Sequence, residues 1–230
     1  MSAPGPPPRG DRPRRGSSKV AKPHFLESDV GATPEPREDL AAWRKQTRTE
    51  LLERRLGAGS HERARWSTAI VQHLSQVLPE PDGRVLGFCW PYKAEPEVLP
   101  TVRRWIEKGG MAALPVVVQP RAPMVFRRWH PDALMTKGVY DIAIPADTEE
   151  LQPGILLIPL TGFDAAGYRL GYGGGFFDRT VVALQPRPLL IGVGFDLSRL
   201  PTIFPQQHDQ PMDIIVTESG VQRPTSYSKL

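Results

Sequence analysis

The stretch that most limits how this chain folds is RLGYGGGFFDR, residues 169–179. Four of its first seven residues are glycine. Glycine loses more backbone entropy on folding than any other residue, so such a cluster survives where the backbone needs it. An apolar run, GILLIPL at 154–160, lies just before it, bounded by Pro153 and Thr161. A run of that kind suits a central strand buried on both faces. Residues 176–185, FFDRTVVALQ, suit a helix after it. Strand, glycine loop and helix in that order place backbone N–H groups, and the positive end of a helix, where an anion can meet them.

The rest of the chain repeats the alternation of helix and strand. From Asp39, Leu40, Trp43, Thr47, Leu51 and Leu52 recur at helical spacing, with Arg44, Lys45, Arg48, Arg54 and Arg55 between them. Gly57 and Gly59 end that helix, and Ser60 is positioned to cap a second with Ile70, Val71, Leu74, Val77 and Leu78 on its apolar face. RVLGFCW at 84–90 predicts a buried strand, 97–108 a third helix, and MAALPVVV and MVFRRW two further strands. LLIGVGF at 189–195 and DIIVTE at 213–218 complete the set. The expected fold is α/β, three-layer α/β/α with a largely parallel central sheet. Ligands of such sheets lie beyond the carboxyl ends of the strands, and the glycine loop follows such an end.

Residues 1–36 differ in kind. Proline, glycine, serine and arginine dominate, and apolar residues are too few for a core, so a disordered arm is expected, followed by a single domain over 37–230. The formal charge of +4 comes from the first 23 residues of the arm. Over residues 1–23, Arg9, Arg12, Arg14, Arg15, Lys19 and Lys22 face Asp11 alone, which leaves the remainder of the chain slightly acidic. That argues against a nucleic-acid surface spread over the domain. One cysteine, Cys89, excludes an internal disulfide, and the five histidines show no zinc-like spacing. No apolar run reaches membrane-span length, and the basic start lacks the apolar stretch of a secretory signal. A cytoplasmic location is expected.

Two common phosphate-loop patterns do not fit. A Walker loop needs lysine and then serine or threonine after its last glycine, where this chain has Phe176 and Phe177. The dinucleotide fingerprint needs a third glycine at Phe176. Arg169 remains able to bond a phosphate or carboxylate. Asp178, in the first helical turn, suits either that helix end or a divalent cation.

The longer stretch LLIPLTGFDAAGYRLGYGGGFFDR, 156–179, closely resembles the signature of the 5-formyltetrahydrofolate cyclo-ligase family. Pro159, Gly162, Phe163, Asp164, Gly167, Arg169, Leu170, Gly171, Gly173, Gly175 and Asp178 carry the resemblance. WRKQTR, WPYKAEPEV and FPQQHDQPMD resemble further family segments in the same order, so the resemblance spans about 40–218. It implies that ATP meets Arg44, Lys45, Arg48, Arg169, Leu170, Gly171, Tyr172, Gly173, Gly174, Gly175, Phe176 and Phe177. It implies that Trp90, Glu95, Tyr172 and Phe177 meet a reduced folate, that Asp178 and Asp209 attend magnesium, and that Arg169 is catalytic. Glu97 is assigned to the start of the third helix. The implied reaction closes 5-formyltetrahydrofolate to 5,10-methenyltetrahydrofolate as ATP becomes ADP and phosphate. The implied partners are small molecules, not membrane or nucleic acid, and a monomer is expected.

There are departures. Family members often carry two tyrosines where Phe176 and Phe177 stand, and some carry arginine and lysine where Tyr172 and Gly174 stand. Two other readings go with the sequence: a diverged paralogue that binds a nucleotide or a thiamine-like heterocycle, and a nucleic-acid binder acting through the arm.

Overall fold

A computed structural model describes residues 39–146 and 148–224. The arm read over 1–36 lies outside them. In chain order the elements are α1 (Leu40–Gly57), α2 (Ser60–Val77), β1 (Val85–Gly87), α3 (Leu99–Glu107), β2 (Met111–Val116) and β3 (Val125–Trp129). Next come β4 (Met135–Lys137), β5 (Ala143–Pro145), β6 (Ile155–Pro159), β7 (Gly162–Phe163) and β8 (Arg169–Leu170). The chain continues through α4 (Phe176–Ala183), β9 (Leu189–Val193), β10 (Ile214–Thr217) and β11 (Gly220–Gln222).

Seven strands form one sheet in the order β11-β10-β9-β6-β1-β2-β3. The five inner strands are parallel, and β3 and β11 close the edges antiparallel. The run ILLIP is central, as its unbroken apolar character requires: Leu156 and Ile158 are fully buried on one face while Ile155 and Leu157 are buried on the other. Each fully buried side chain of this size contributes about 2 kcal/mol. On one face, Ile70 and Leu74 of α2 and Val102 and Trp105 of α3 pack against Leu86, Leu157, Ile191 and Val216. On the other, Val181 of α4 packs with Phe126, Leu156, Leu190 and Ile215. Helix, sheet and helix are the three layers expected.

Strand order in the parallel part reverses between β1 and β6, since the chain goes from β1 outward to β2 and then returns to β6, β9 and β10 on the other side. Loops leaving β1 and β6 therefore diverge, and a crevice opens between their carboxyl ends.

Three local expectations are corrected. Gly59, not Ser60, is the N-cap of α2, and no side chain caps that helix. The glycine loop does not leave β6 directly, because the β7–β8 hairpin intervenes. Asp164 builds that hairpin: its Oδ1 accepts from Ala166 and Tyr168 N–H, and its Oδ2 from Ile203 N–H at 3.1 Å. Arg55, read among the charges between apolar positions, is 1% exposed. It continues the buried row Thr47, Leu51, Arg55, whose spacing of four keeps it on one face of α1.

Candidate active site

Residues 171–175 arch from β8 to the start of α4. Gly173 (φ 93°) and Gly175 (φ 62°) have left-handed backbone that a side chain would strain. Gly175 is the N-cap of α4 and supplies no capping side chain. Among the described residues none offers an acceptor to the N–H groups of Gly173, Gly174 or Gly175.

Guanidinium groups surround this arch. Arg48 of α1 donates from Nε to the Gly171 carbonyl at 2.8 Å, and Arg179 donates to the Gly174 carbonyl at 2.7 Å. Burial and the like charge of Arg44 push the Arg48 pKa below its ordinary value. Arg169 is buried and grips Asp178 with both terminal nitrogens, at 3.1 and 3.3 Å, while donating also to the Gln210 carbonyl. Its guanidinium stands 5.8 Å from the ring centre of Phe177.

Arg44, one turn before Arg48, reaches the late loop. Its two terminal nitrogens donate to Asp209 at 3.4 and 2.6 Å, and it also bonds the carbonyls of Ile203 and Phe204. Burial pushes the Asp209 carboxyl up, but the Arg44 hydrogen bonds, Gln206 N–H and the Arg44 charge outweigh it, so its pKa lies below the ordinary value. The two acidic residues belong to one neighbourhood, because Gln210 N–H, next to Asp209, donates to Asp178 Oδ1 at 3.1 Å.

Each carboxylate accepts three hydrogen bonds. With roughly four acceptor positions on a carboxylate, each has about one left. That fits a magnesium ion carried by phosphates, which takes one or two protein oxygens and keeps several waters. It does not fit an all-protein cage, and among the described residues no three His, Cys, Asp or Glu side chains gather around a point.

Across the crevice, Glu95 ends the segment that leaves β1. The turn before it holds Lys93 (φ 48°) and Ala94 (φ 59°) in the left-handed region, and Glu95 Oε2 accepts from Tyr92 N–H at 3.0 Å. Glu95 Oε1 accepts from the Tyr172 hydroxyl at 2.6 Å. Arg55 donates to that same hydroxyl at 2.8 Å, and to the carbonyls of Lys93 and Leu160. Burial pushes the Glu95 pKa up, against the pull of Tyr172, Tyr92 N–H and the Arg55 charge. Burial and the neighbouring Glu95 carboxylate likewise raise the Tyr172 phenol. Glu95, Cys89, Leu157, Pro159 and Val193 line a small cavity at the carboxyl ends of the inner strands. Burial raises the Cys89 thiol, which therefore makes a poor nucleophile.

The predicted residues thus divide. Arg44, Arg48, Arg169, Asp178, Asp209, Glu95 and Tyr172 are brought to one end of the sheet. Lys45 is exposed, with no side-chain ion pair among the described residues. Leu170 packs its side chain against Leu51, Leu200 and Ile203. Phe177 packs partly into the core cluster beneath α4, and Phe176 lies under Arg179. Trp90 stacks edge-on with Phe88 and Trp129 and donates to the Ala143 carbonyl on β5. Glu97 accepts from Leu99 N–H at the start of α3, as assigned. Arg55 and Arg179 are the polar groups at the site that sequence reasoning missed.

The 5-formyltetrahydrofolate cyclo-ligase family model matches residues 40–218. The chain belongs to the 5-formyltetrahydrofolate cyclo-ligase family. Among relatives, the 5-formyltetrahydrofolate cyclo-ligase of Haemophilus influenzae is 24% identical over 181 residues, 75% of this chain and 97% of that protein. The Mycolicibacterium smegmatis cyclo-ligase is 27% identical over 183 residues, 76% of this chain and 93% of that protein. The solution structure of Aquifex aeolicus 5,10-methenyltetrahydrofolate synthetase superposes with a TM-score of 0.68 at 26% identity, covering 79% of this chain and 93% of that one. The Mycoplasma pneumoniae 5,10-methenyltetrahydrofolate synthetase shares the fold, with a TM-score of 0.63 at 22% identity, covering 76% and 98%. Within this cyclo-ligase family the matched region takes in α1, both sides of the crevice and the late loop. It excludes the first 39 residues.

Proposed function

We propose that this protein closes 5-formyltetrahydrofolate to 5,10-methenyltetrahydrofolate and converts ATP to ADP and phosphate. The observation that carries the reading is the placement of the glycine arch and Glu95 on opposite sides of the β1/β6 crevice. A nucleotide on the arch and a folate ring at Glu95 would meet there.

The formyl oxygen is a poor leaving group. In the first step it attacks the γ-phosphorus, the bond to the β-phosphate oxygen breaks, and ADP departs. The resulting iminium phosphate is attacked at its carbon by N10. The C–O bond then breaks, phosphate leaves with its electron pair, and the N10 proton is lost to give the methenyl bridge. The protein need not supply a nucleophile, because both nucleophilic atoms belong to the substrate. Its task is alignment and charge neutralisation in a dry site.

Arg169 is the residue we place on the transferring phosphoryl group, with Arg44, Arg48 and the N–H groups of Gly171 through Phe177 along the phosphates. Lys45 adds charge at the rim, and Leu170 contributes its main chain. Glu95 orients the pterin through its remaining acceptor positions, with Tyr172, Phe177 and Trp90 as aromatic walls. Asp178 and Asp209 are the residues that would hold magnesium, which would screen the triphosphate charge. Among the described residues no helix is long and apolar enough to cross a membrane. We place the protein in the cytoplasm as a monomer.

The test is purified full-length protein with 5-formyltetrahydrofolate, ATP and magnesium. Methenyl absorbance should grow in step with ADP. Nucleotide binding without methenyl product would overturn the reading in favour of a diverged paralogue.

A further inference from the structure

One residue interrupts the glycines between 171 and 175, and it is Tyr172. The residue is 46% exposed, so core burial does not explain it. The polar tip does something different from the ring. Its hydroxyl enters between two of the most buried charged groups in the domain, accepting from Arg55 at 2.8 Å and donating to Glu95 at 2.6 Å. Arg55 in turn bonds the carbonyl of Lys93, inside the left-handed turn before Glu95, and the carbonyl of Leu160, just past β6. One guanidinium therefore ties both lips of the crevice, and one phenol ties the arch to them. Arg55 Nη2 itself stands 3.9 Å from Glu95 Oε1, so the hydroxyl completes a link that the ion pair alone makes weakly.

We infer that Arg55 and the Tyr172 hydroxyl form a positioning pair that couples the nucleotide arch to Glu95, so that each of the two substrates strengthens the binding of the other. The inference rests on the function proposed above. Arg48 and Arg179 hold the carbonyls of Gly171 and Gly174, and the Tyr172 hydroxyl is the contact that ties the arch to Glu95. A folate that engages Glu95 steadies the carboxylate, the hydroxyl bonded to it, and hence the arch. The ordering entropy met by the first ligand is then not met by the second, and linkage makes the effect equal in both directions. A lone structural salt bridge would not predict this, because it would stabilise the fold without moving one ligand's affinity in response to the other.

The test measures binding of a non-hydrolysable ATP analogue, with magnesium, to full-length protein by calorimetry, with and without saturating 5-formyltetrahydrofolate. In the natural protein the folate should tighten analogue binding about five- to tenfold. In Tyr172→Phe, which keeps the ring and removes the hydroxyl, that ratio should fall below about twofold while each ligand still binds alone. Arg55→Lys keeps the charge but not the directed fork, and should lower the ratio in the same way with the melting profile still cooperative. Combining Tyr172→Phe with Arg55→Lys should lower the ratio no further than either change alone. Both ligands binding with an equal ratio in natural protein and Tyr172→Phe would overturn the coupling and leave the proposed reaction standing. A natural protein with no measurable folate binding would overturn both.

Discussion

Arg44 and Asp209 hold each other at 2.6 Å across 165 residues of chain. The contact fastens the late loop to α1 and brings a cation to the end of the sheet where the glycine arch lies. Asp209 has its pKa held below the ordinary carboxylate value. A lowered folded pKa contributes stability that is present above the unfolded value and lost as pH falls through the folded one. Asp209→Asn should therefore cost roughly 2 kcal/mol near neutral pH, or about 4–8 °C in melting temperature for a domain of this size. The gap should start to close below about pH 4. Melting curves of both proteins from pH 7 to pH 3 check this, and a gap independent of pH would contradict it.

Gly171 separates packing from ligand approach. A Cβ placed there meets nothing within 4 Å, and its backbone is not left-handed. Gly171→Ala should change stability by no more than about 0.5 kcal/mol. If phosphates lie against the arch, the same methyl group should raise KM for ATP by about tenfold, equivalent to about 1.4 kcal/mol. An unchanged KM would place the triphosphate elsewhere.

Arg169 is enclosed by Asp178, Gln210 and Phe177, which keeps its guanidinium from wandering. Arg169→Ala should lower kcat by at least about tenfold with the fold retained, because the oriented cation proposed for the transferring phosphoryl group is lost. Turnover near normal, in a variant shown by circular dichroism to be folded, would remove it from the reaction.

Glu95 should give folate binding a pH dependence. In the proposed folate contact its ionised form would accept from ring N–H donors, and burial raises its pKa. KM for the folate should therefore rise as pH falls, with a midpoint above the ordinary glutamate value of about 4.3. Arg55 and Tyr172 face this carboxylate and oppose the shift, and Cys89 lies beside it. Tyr172→Phe removes one opposing hydrogen bond, so the midpoint should move further up. A profile that stays put in that variant would show that the hydroxyl does not support the charge.

Much of this architecture was readable along the chain. The unbroken apolar run at 155–159 suited a strand covered on both faces, and alternation with helices implied a largely parallel sheet. The density of glycine at 171–175 marked a backbone that turns through left-handed conformations, as it does at Gly173 and Gly175, and the motif around it pointed to the family. Short segments escaped: the β4–β5 and β7–β8 hairpins, three residues or fewer per strand, carry no periodicity long enough to read. Arg55 escaped for a different reason. Its spacing from Thr47 and Leu51 was visible, but a charge on a charged helix is ordinarily solvated, and a buried guanidinium needs acceptors that no local pattern reveals. Those acceptors come from the segments after β1 and β6 and from the arch. Sequence sets which groups are available and their local conformation; which arginine meets which carboxylate, and that Tyr172 reaches Glu95, is decided when the strand order reverses between β1 and β6 and brings distant loops to one crevice.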